Sequence, residues 1–328
     1  MFKAIYIDKP DSQYQCQLTE LQESALPEGE VTVNVKFSSL NYKDGLAISG
    51  QSPVVRRFPM VPGIDFAGVV ESSQHPDFTA GQSVFINGWG LGEKYWGGLS
   101  QKAVVPGQWL QHTPEGLNDY DVMAVGTAGY TAMLCVMAIE EHGITPESGP
   151  VLVTGANGGV GSFAIAFLSK LGYQIVASTG RTEEAERLQK LGAQSIIDRN
   201  MLNEPGRPLA KEQWAAAVDT VGSYTLANVC ASISYGGVVA ACGLAQGMDF
   251  PASVAPFILR SVTLAGVDSV MCPMTTRQKA WHRIAQLADR QMLDQASVLI
   301  GMNDVIDTAH QFLEGKIKGR IVVDVNQF

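Results

Sequence analysis

The residues of this chain whose types and spacing could most plainly do chemistry are the glycines of Val151-Leu-Val-Thr-Gly-Ala-Asn-Gly-Gly-Val-Gly161. A short apolar run precedes them and a helix-like stretch follows. In that setting the segment fits the dinucleotide fingerprint as Ala156-x-Gly158-x-x-Gly161, with Ala at the first position. Gly158 lets the backbone approach a pyrophosphate, and Gly161 allows a helix to pack closely on a sheet. The backbone of Ala156, Asn157, Gly158, Gly159, Val160 and Gly161 then offers N–H groups to phosphate oxygens, aided by the helix dipole. A glycine-rich turn with no ligand is the bland alternative. The strand–helix series around the loop favours the cofactor.

The next strand selects which cofactor. An NAD site carries Asp or Glu about 20 residues on, accepting from the ribose 2′-OH. Here the strand from Gln174 ends in Ser178-Thr179-Gly180-Arg181, with no carboxylate until Glu183. An acid at that tip would repel a 2′-phosphate, whereas Ser178 and Arg181 hydrogen-bond it and pair with its charge. Arg199, after the following strand, is placed to close over the same group. The predicted cofactor is NADPH.

Two kinds of element must position these residues. Up to about residue 120 the chain is a succession of short β-type runs separated by Gly and Pro, such as Val31–Phe37, Asp65–Val70, Ser83–Ile86 and Lys102–Val105. That spacing predicts an antiparallel or barrel-like domain. About thirteen helix-like residues follow from Thr127. After Gly149-Pro150 strands and amphipathic helices alternate: strand Val151–Thr154, helix Val160–Leu171, strand Gln174–Ser178. A helix over Thr182–Leu191 has Thr182 as N-cap and Gly192 past its end. The alternation runs on to Cys242 and reads as βαβ units of a doubly wound parallel sheet. The terminal run Gly319–Val325 returns to a strand and rejoins the first domain, which makes the α/β domain an insertion.

Composition bounds the rest. The 328 residues suit two domains at about 150 residues each. With 46% hydrophobic and 17% charged residues, the composition is that of a globular chain. A formal charge of −9 excludes a long electrostatic track and hence nucleic acid as a partner, but not a local phosphate pocket. Five cysteines without a CxxC pair suggest neither a disulfide framework nor a thiolate zinc knuckle. The N-terminus lacks a secretory h-region, and the stretch Ala124–Ile139 reads as too short and too polar for a bilayer span. A cytoplasmic protein with no membrane partner is the expectation.

Several stretches carry a family resemblance: Ser39-Leu-Asn-Tyr-Lys-Asp-Gly-Leu-Ala-Ile-Ser-Gly50, Phe58-Pro-Met-Val-Pro-Gly-Ile-Asp-Phe-Ala-Gly68, Gly88-Trp-Gly-Leu-Gly-Glu93, Gly126–Ala138, Asp219-Thr-Val-Gly222, Ala241–Leu244, Pro256–Arg260 and Gly266–Ser269. Across nearly its whole length the chain resembles the zinc-free, quinone oxidoreductase-like members of the medium-chain dehydrogenase/reductase superfamily, in particular the NADPH-dependent acryloyl-CoA reductase group. The resemblance implies a GroES-like catalytic domain (1–122 and 293–328) and a Rossmann NADP-binding domain (123–292), assembled as a homodimer. It implies Tyr42 near the nicotinamide, and Leu244, Ser269 and Arg320 as further cofactor contacts.

Zinc-dependent members place a Cys where this chain reads Asn41–Asp44 and a His where it reads Gly63-Ile64-Asp65. Neither ligand is present, and no metal is expected. The implied reaction is reduction of acryloyl-CoA to propanoyl-CoA, with hydride delivered to C3 and a proton to C2. Tyr42 is the candidate for positioning or proton donation, supported by Asn41. Arg56, in the Arg56-Arg57 pair, and Trp89 are candidates for holding the acyl-CoA. Trp89 reads equally well as a packing aromatic. A quinone or enone reductase on the same scaffold is the alternative enzyme, and an NADPH-binding crystallin-like protein without catalysis is the second alternative.

Overall fold

Apolar residues at every second position build one part of the molecule from short antiparallel strands, while continuous apolar runs build the other from buried parallel ones. The computed structural model describes residues 1–328, which divide into two compact units, Met1–Thr127 with Ser269–Phe328, and Ala128–Asp268. In chain order the first unit opens with β1 (Phe2–Asp8) and β2 (Gln15–Leu21), an antiparallel pair that makes its own two-stranded sheet. There follow β3 (Val31–Leu40), α1 (Tyr42–Ser49), β4 (Asp65–Ser73), β5 (Ser83–Asn87), β6 (Lys102–Val105) and β7 (Gln111–His112). β3 is the hub of this sheet, pairing antiparallel with β4 and with β6. Two register shifts against β4 bend it. Val31, Val33, Val35, Phe66, Val84 and Ile86 fill the interior.

α2 (Asp119–Glu141) crosses from the first unit to the second and is longer than the thirteen residues expected. Gly126 interrupts it with φ 52°, a left-handed conformation that costs glycine least. It has 23 residues, and its most apolar 18-residue stretch has a mean hydropathy of 1.8, so it is long and apolar enough to cross a membrane, contrary to the expectation from residues 124–139. That apolarity is spent on packing, since 94% of its most apolar stretch is buried inside the protein.

The second unit continues with β8 (Val151–Val153), α3 (Gly159–Lys170), β9 (Ile175–Thr179), α4 (Ala185–Lys190), β10 (Ser195–Asp198) and β11 (Trp214–Asp219). It closes with α5 (Ser223–Ser232), β12 (Ile233–Ala241), α6 (Ala255–Arg260) and β13 (Thr263–Gly266). The strands form one sheet in the order β10-β9-β8-β11-β12-β13, all parallel. That is the doubly wound dinucleotide-binding order, and its switch point lies between β8 and β11. All six residues of β11 are buried, as expected of a strand covered on both faces. Thr182 does not cap a helix: Thr182–Glu184 is a 3-10 turn leading into the shorter α4, although Gly192 does end it with φ 114°.

The chain re-enters the first unit at Ser269, earlier than the 292/293 boundary read from the sequence. α7 (Met274–Leu287), α8 (Arg290–Ala296), β14 (Ser297–Gly301), α9 (Val305–Leu313) and β15 (Arg320–Asp324) complete it. β15 pairs antiparallel with β3, with Ile321 opposite Leu40. This return brings Arg320 beside Asn41 from the far end of the sequence.

Candidate functional site

In the second unit, the crossing from β8 to α3 forms a backbone cradle. Thr154 Oγ1 donates to Asp219 Oδ1 at 2.7 Å, and Asp219 Oδ2 accepts from the backbone of Val221 and Gly222. The tips of β8 and β11 are thereby tied together at the switch point. Burial pushes the Asp219 carboxyl above its ordinary range, and these donors pull against that shift. A Cβ on Gly161 would sit 2.4 Å from the Gly155 carbonyl oxygen, so the loop closes on α3 only with glycine there. Gly158 is the exposed N-cap of α3, and the first-turn N–H groups beyond it lack an intrahelical acceptor. A pyrophosphate meets that need.

The tip of β9 supplies the second half of the cradle. Thr179 Oγ1 accepts from Asn157 Nδ2 at 2.8 Å and from the Arg181 backbone at 3.0 Å. Ser178 is 1% exposed, and its carbonyl accepts from Ala156 N–H. Ser178 therefore braces the loop from beneath through its carbonyl. Gly180, Arg181 and Arg199 remain at the accessible tip. The Arg199 side chain lies against Gly180, where an added Cβ would fall 2.4 Å from its Nε. Leu244, 55% exposed, follows the β12 tip near Gly222.

The sequence reading missed Arg187. From α4 its guanidinium donates to Asn157 Oδ1 at 3.3 Å and to Ser162 Oγ at 3.2 Å. Burial holds its pKa below the usual guanidinium value, and neighbouring Arg181 adds to this. No motif marks an arginine in a short helix; only the fold turns it toward the loop. Two exposed or half-buried arginines at the tip, a third beneath, and no carboxylate on β9 fit a dinucleotide with a 2′-phosphate.

In the first unit a second constellation forms around the start of α1. Asn41 is the N-cap, and its backbone and side chain both donate to Asp44 Oδ2, at 2.9 and 3.2 Å. Asp44 Oδ1 accepts from the backbone of Gly63 and Ile64 at 3.0 and 3.1 Å. Asp65 Oδ1 accepts from Ser39 Oγ, and its Oδ2 accepts from Asn41 Nδ2 and from Thr127 N–H at 2.8 Å. Arg320 donates to Asn41 Oδ1 at 2.8 Å and to Ser39 Oγ at 2.5 Å. Its Nη2 stands 3.9 Å from Asp65 Oδ2. A Cβ on Gly126 would lie 2.2 Å from that same Nη2, so the glycine break in α2 both makes room for Arg320 and frees Thr127 N–H for Asp65.

This cluster is almost dry: Asp65, Asp44, Arg320 and Asn41 are 0%, 1%, 2% and 8% exposed. Burial, with Asp65 adding its charge, pushes the Asp44 carboxyl up to about 7. Burial lowers the Arg320 pKa, and the two acids oppose that. Asn41, read as a hydrogen-bonding support for Tyr42, caps the helix that Tyr42 opens, and Arg320, read as a cofactor contact, turns its guanidinium inward on Asn41 and Ser39. No three His, Cys, Asp or Glu side chains converge to hold a metal ion.

Tyr42, the first residue of α1, follows the Asn41 cap and is 50% exposed. Lys43 ties α1 to Glu93 at 2.7 Å, and the Glu93 carbonyl accepts from Arg56 N–H at 2.8 Å. Arg56 thus stands exposed beside the loop after β5. Trp89 on that loop is taken up by packing, with Arg277 4.4 Å above its ring and Trp109 stacked at 6.0 Å. Ser269 gives its carbonyl to Arg277 at 3.1 Å.

Comparison with known proteins agrees with both halves. Residues 27–115 match the alcohol dehydrogenase GroES-like domain, and residues 159–290 match the zinc-binding dehydrogenase family. The acrylyl-CoA reductase AcuI of Ruegeria pomeroyi is 50% identical over 99% of this chain and all of its own length. The yhdH oxidoreductase of Salmonella enterica, solved in complex with NADP, is 49% identical with a TM-score of 0.97, covering 98% of this chain and 99% of that one. YhdH of E. coli K-12, solved with bound NADPH, is 50% identical with a TM-score of 0.96, covering 98% and 100%.

Proposed function

The chain belongs to the medium-chain dehydrogenase/reductase superfamily, and from that premise we infer that it is an NADPH-dependent acrylyl-CoA reductase. The observation that carries this reading is the end-to-end 50% identity with an acrylyl-CoA reductase. The acid-free, arginine-bearing tip of β9 supports the cofactor.

NADPH, held by the Ala156–Gly161 cradle with Arg181 and Arg199 at the 2′-phosphate, supplies a hydride for C3 of the enoyl thioester. As C3 is reduced, negative charge grows on the thioester oxygen and C2 takes up a proton, giving the saturated propanoyl thioester. The protein must offer a donor to that oxygen or a proton to C2. Tyr42 is the group available for this on α1, because Asn41 is committed to Asp44, Asp65 and Arg320. The network under Tyr42 holds its backbone still, which is what positioning a donor requires. Exposed Arg56 is suited to a phosphate of coenzyme A.

NADPH oxidation measured with acrylyl-CoA, crotonyl-CoA and a small quinone tests the substrate class. Highest kcat/KM on acrylyl-CoA is expected, and a quinone turned over more efficiently than either thioester would overturn it. Tyr42→Phe is expected to lower kcat about a hundredfold with NADPH affinity unchanged. An unchanged kcat removes the hydroxyl from the chemistry.

The five unpaired cysteines suit a reducing compartment, and the cytoplasm is the proposed location. β13 is an edge strand, and Ile258 and Leu259 on the preceding α6 are 72% and 61% exposed. We propose that two copies join along this edge as a homodimer. Light scattering should give twice the chain mass, and Ile258→Asp should halve it.

A further inference from the structure

A cavity of about 920 Å³ opens on the first unit, lined by residues from β5, β7, α7 and their connecting loops. It shares no residue with the Asn41 cluster, Tyr42 or Arg56, and its size is that of a small-molecule site. Its wall is aromatic. Phe85 and Trp281 meet edge to face with ring centres 4.5 Å apart, and Phe78 lies 5.6 Å from the ring of His75.

One polar group in this wall has no partner. Gln111 is the register partner of Phe85 across β5 and β7, so its side chain stands on the same face as that ring. Gln111 is 7% exposed, and its Nε2 is buried without an acceptor. Leaving such a donor unpaired costs about 1–3 kcal/mol, which a ligand acceptor would recover once the amide turns into the cavity. His75 supplies a second donor. Its Nδ1 accepts from Asp77 N–H at 3.3 Å, which leaves the ring proton on Nε2. The ring is wedged in place by Gly107, where a Cβ would lie 2.4 Å from His75 Cγ.

The lining also says what is kept out. It contains Asp77 and Glu115 but no Lys or Arg. A phosphorylated ligand such as the cofactor or a coenzyme A ester would meet carboxylates with no countercharge. Aromatic walls, an acidic rim and a set of amide and imidazole groups, in which Gln108, His112, Gln278, His282 and Gln286 join Gln111 and His75, select a flat, uncharged ring bearing ring-nitrogen or carbonyl acceptors. We propose that this cavity is a second ligand site, distinct from the catalytic one, for an uncharged planar heterocycle of the nucleobase or nucleoside class. The proposal stands on this unit's own residues and does not depend on the identity of the reduced substrate.

Adenosine is the probe, titrated calorimetrically into the full-length protein already saturated with NADPH, so that the cofactor's own adenosine site is filled. One adenosine per chain is expected, with AMP binding at least tenfold more weakly. Gln111→Met keeps the length of the side chain but cannot donate, and should weaken adenosine at least tenfold. Ala285→Trp, on the cavity side of α7, should abolish binding by filling the space. Both variants should retain wild-type NADPH affinity as a check on folding. No binding at millimolar adenosine overturns the proposal, as does adenosine binding that both variants leave unchanged. AMP binding as tightly as adenosine overturns the charge argument and with it the proposed ligand class.

Discussion

The glycine cradle at the β8–α3 crossing and the Asn41 cluster at the start of α1 are both polar sites, but they are made differently. The first is largely main chain: the consecutive residues 154–161 supply the N–H groups, and two short side-chain ties to Asp219 and Thr179 brace them, so a local motif carries most of it. The second is mostly side chains, drawn from Ser39–Asp44, Asp65 and Arg320, nearly three hundred residues apart, with the backbone N–H of Thr127, and needs β3, β4, α2 and β15 all in place. A cradle of backbone tolerates exchange at most of its positions and fails at glycine. A buried charge network fails at any member, because the remaining partners are stranded in low dielectric.

Substitutions that separate these behaviours sharpen the contrast. The largest effect is expected for Arg320→Met, which leaves Asp65 and Asp44 buried without a cation. Denaturant unfolding should show a loss of about 3–5 kcal/mol. Adding Asp65→Asn to that variant should return part of it, whereas additive losses would mean the two side chains do not act together. In the cradle, Arg181→Ala and Arg199→Ala should leave stability nearly unchanged. Each should raise the KM for NADPH about tenfold, as loss of a charge-assisted contact does, and leave that for NADH alone. An equal effect on both cofactors would place the 2′-phosphate elsewhere.

A smaller effect concerns pH. The Asp44 carboxyl holds its proton up to about 7 in the folded chain, against a value of 3.8 when unshifted. Between those values the native state binds more protons than the unfolded one. Its contribution to stability is therefore fully present in acid and is lost as pH rises through 7, by at most about 1.4 kcal/mol per unit. Stability measured from pH 5 to 8 should lose this slope in Asp44→Asn, while the other carboxylates keep theirs. A slope that survives the substitution assigns it to another group.

How much of this was legible in the sequence follows the same division. The loop at 155–161, the missing acid on β9 and the βαβ alternation are local patterns, and each appears where it was read. Arg187 was not legible, because a short amphipathic helix gives no sign of which cation turns toward a loop. Nothing local reveals that residues 41, 44, 65 and 320 share one dry pocket. Gly126 carried a usable signal, a glycine within an apolar helical run, whose meaning became plain only with Arg320 against it.

The most direct test of the reductase assignment is the fate of a labelled hydrogen. With acrylyl-CoA and NADPH deuterated at C4 of the nicotinamide, in ordinary water, mass spectrometry should find propanoyl-CoA carrying a single deuterium at C3 from one of the two C4 stereoisomers. Propanoyl-CoA without deuterium at C3, or cofactor oxidation with acrylyl-CoA recovered unchanged, would contradict it.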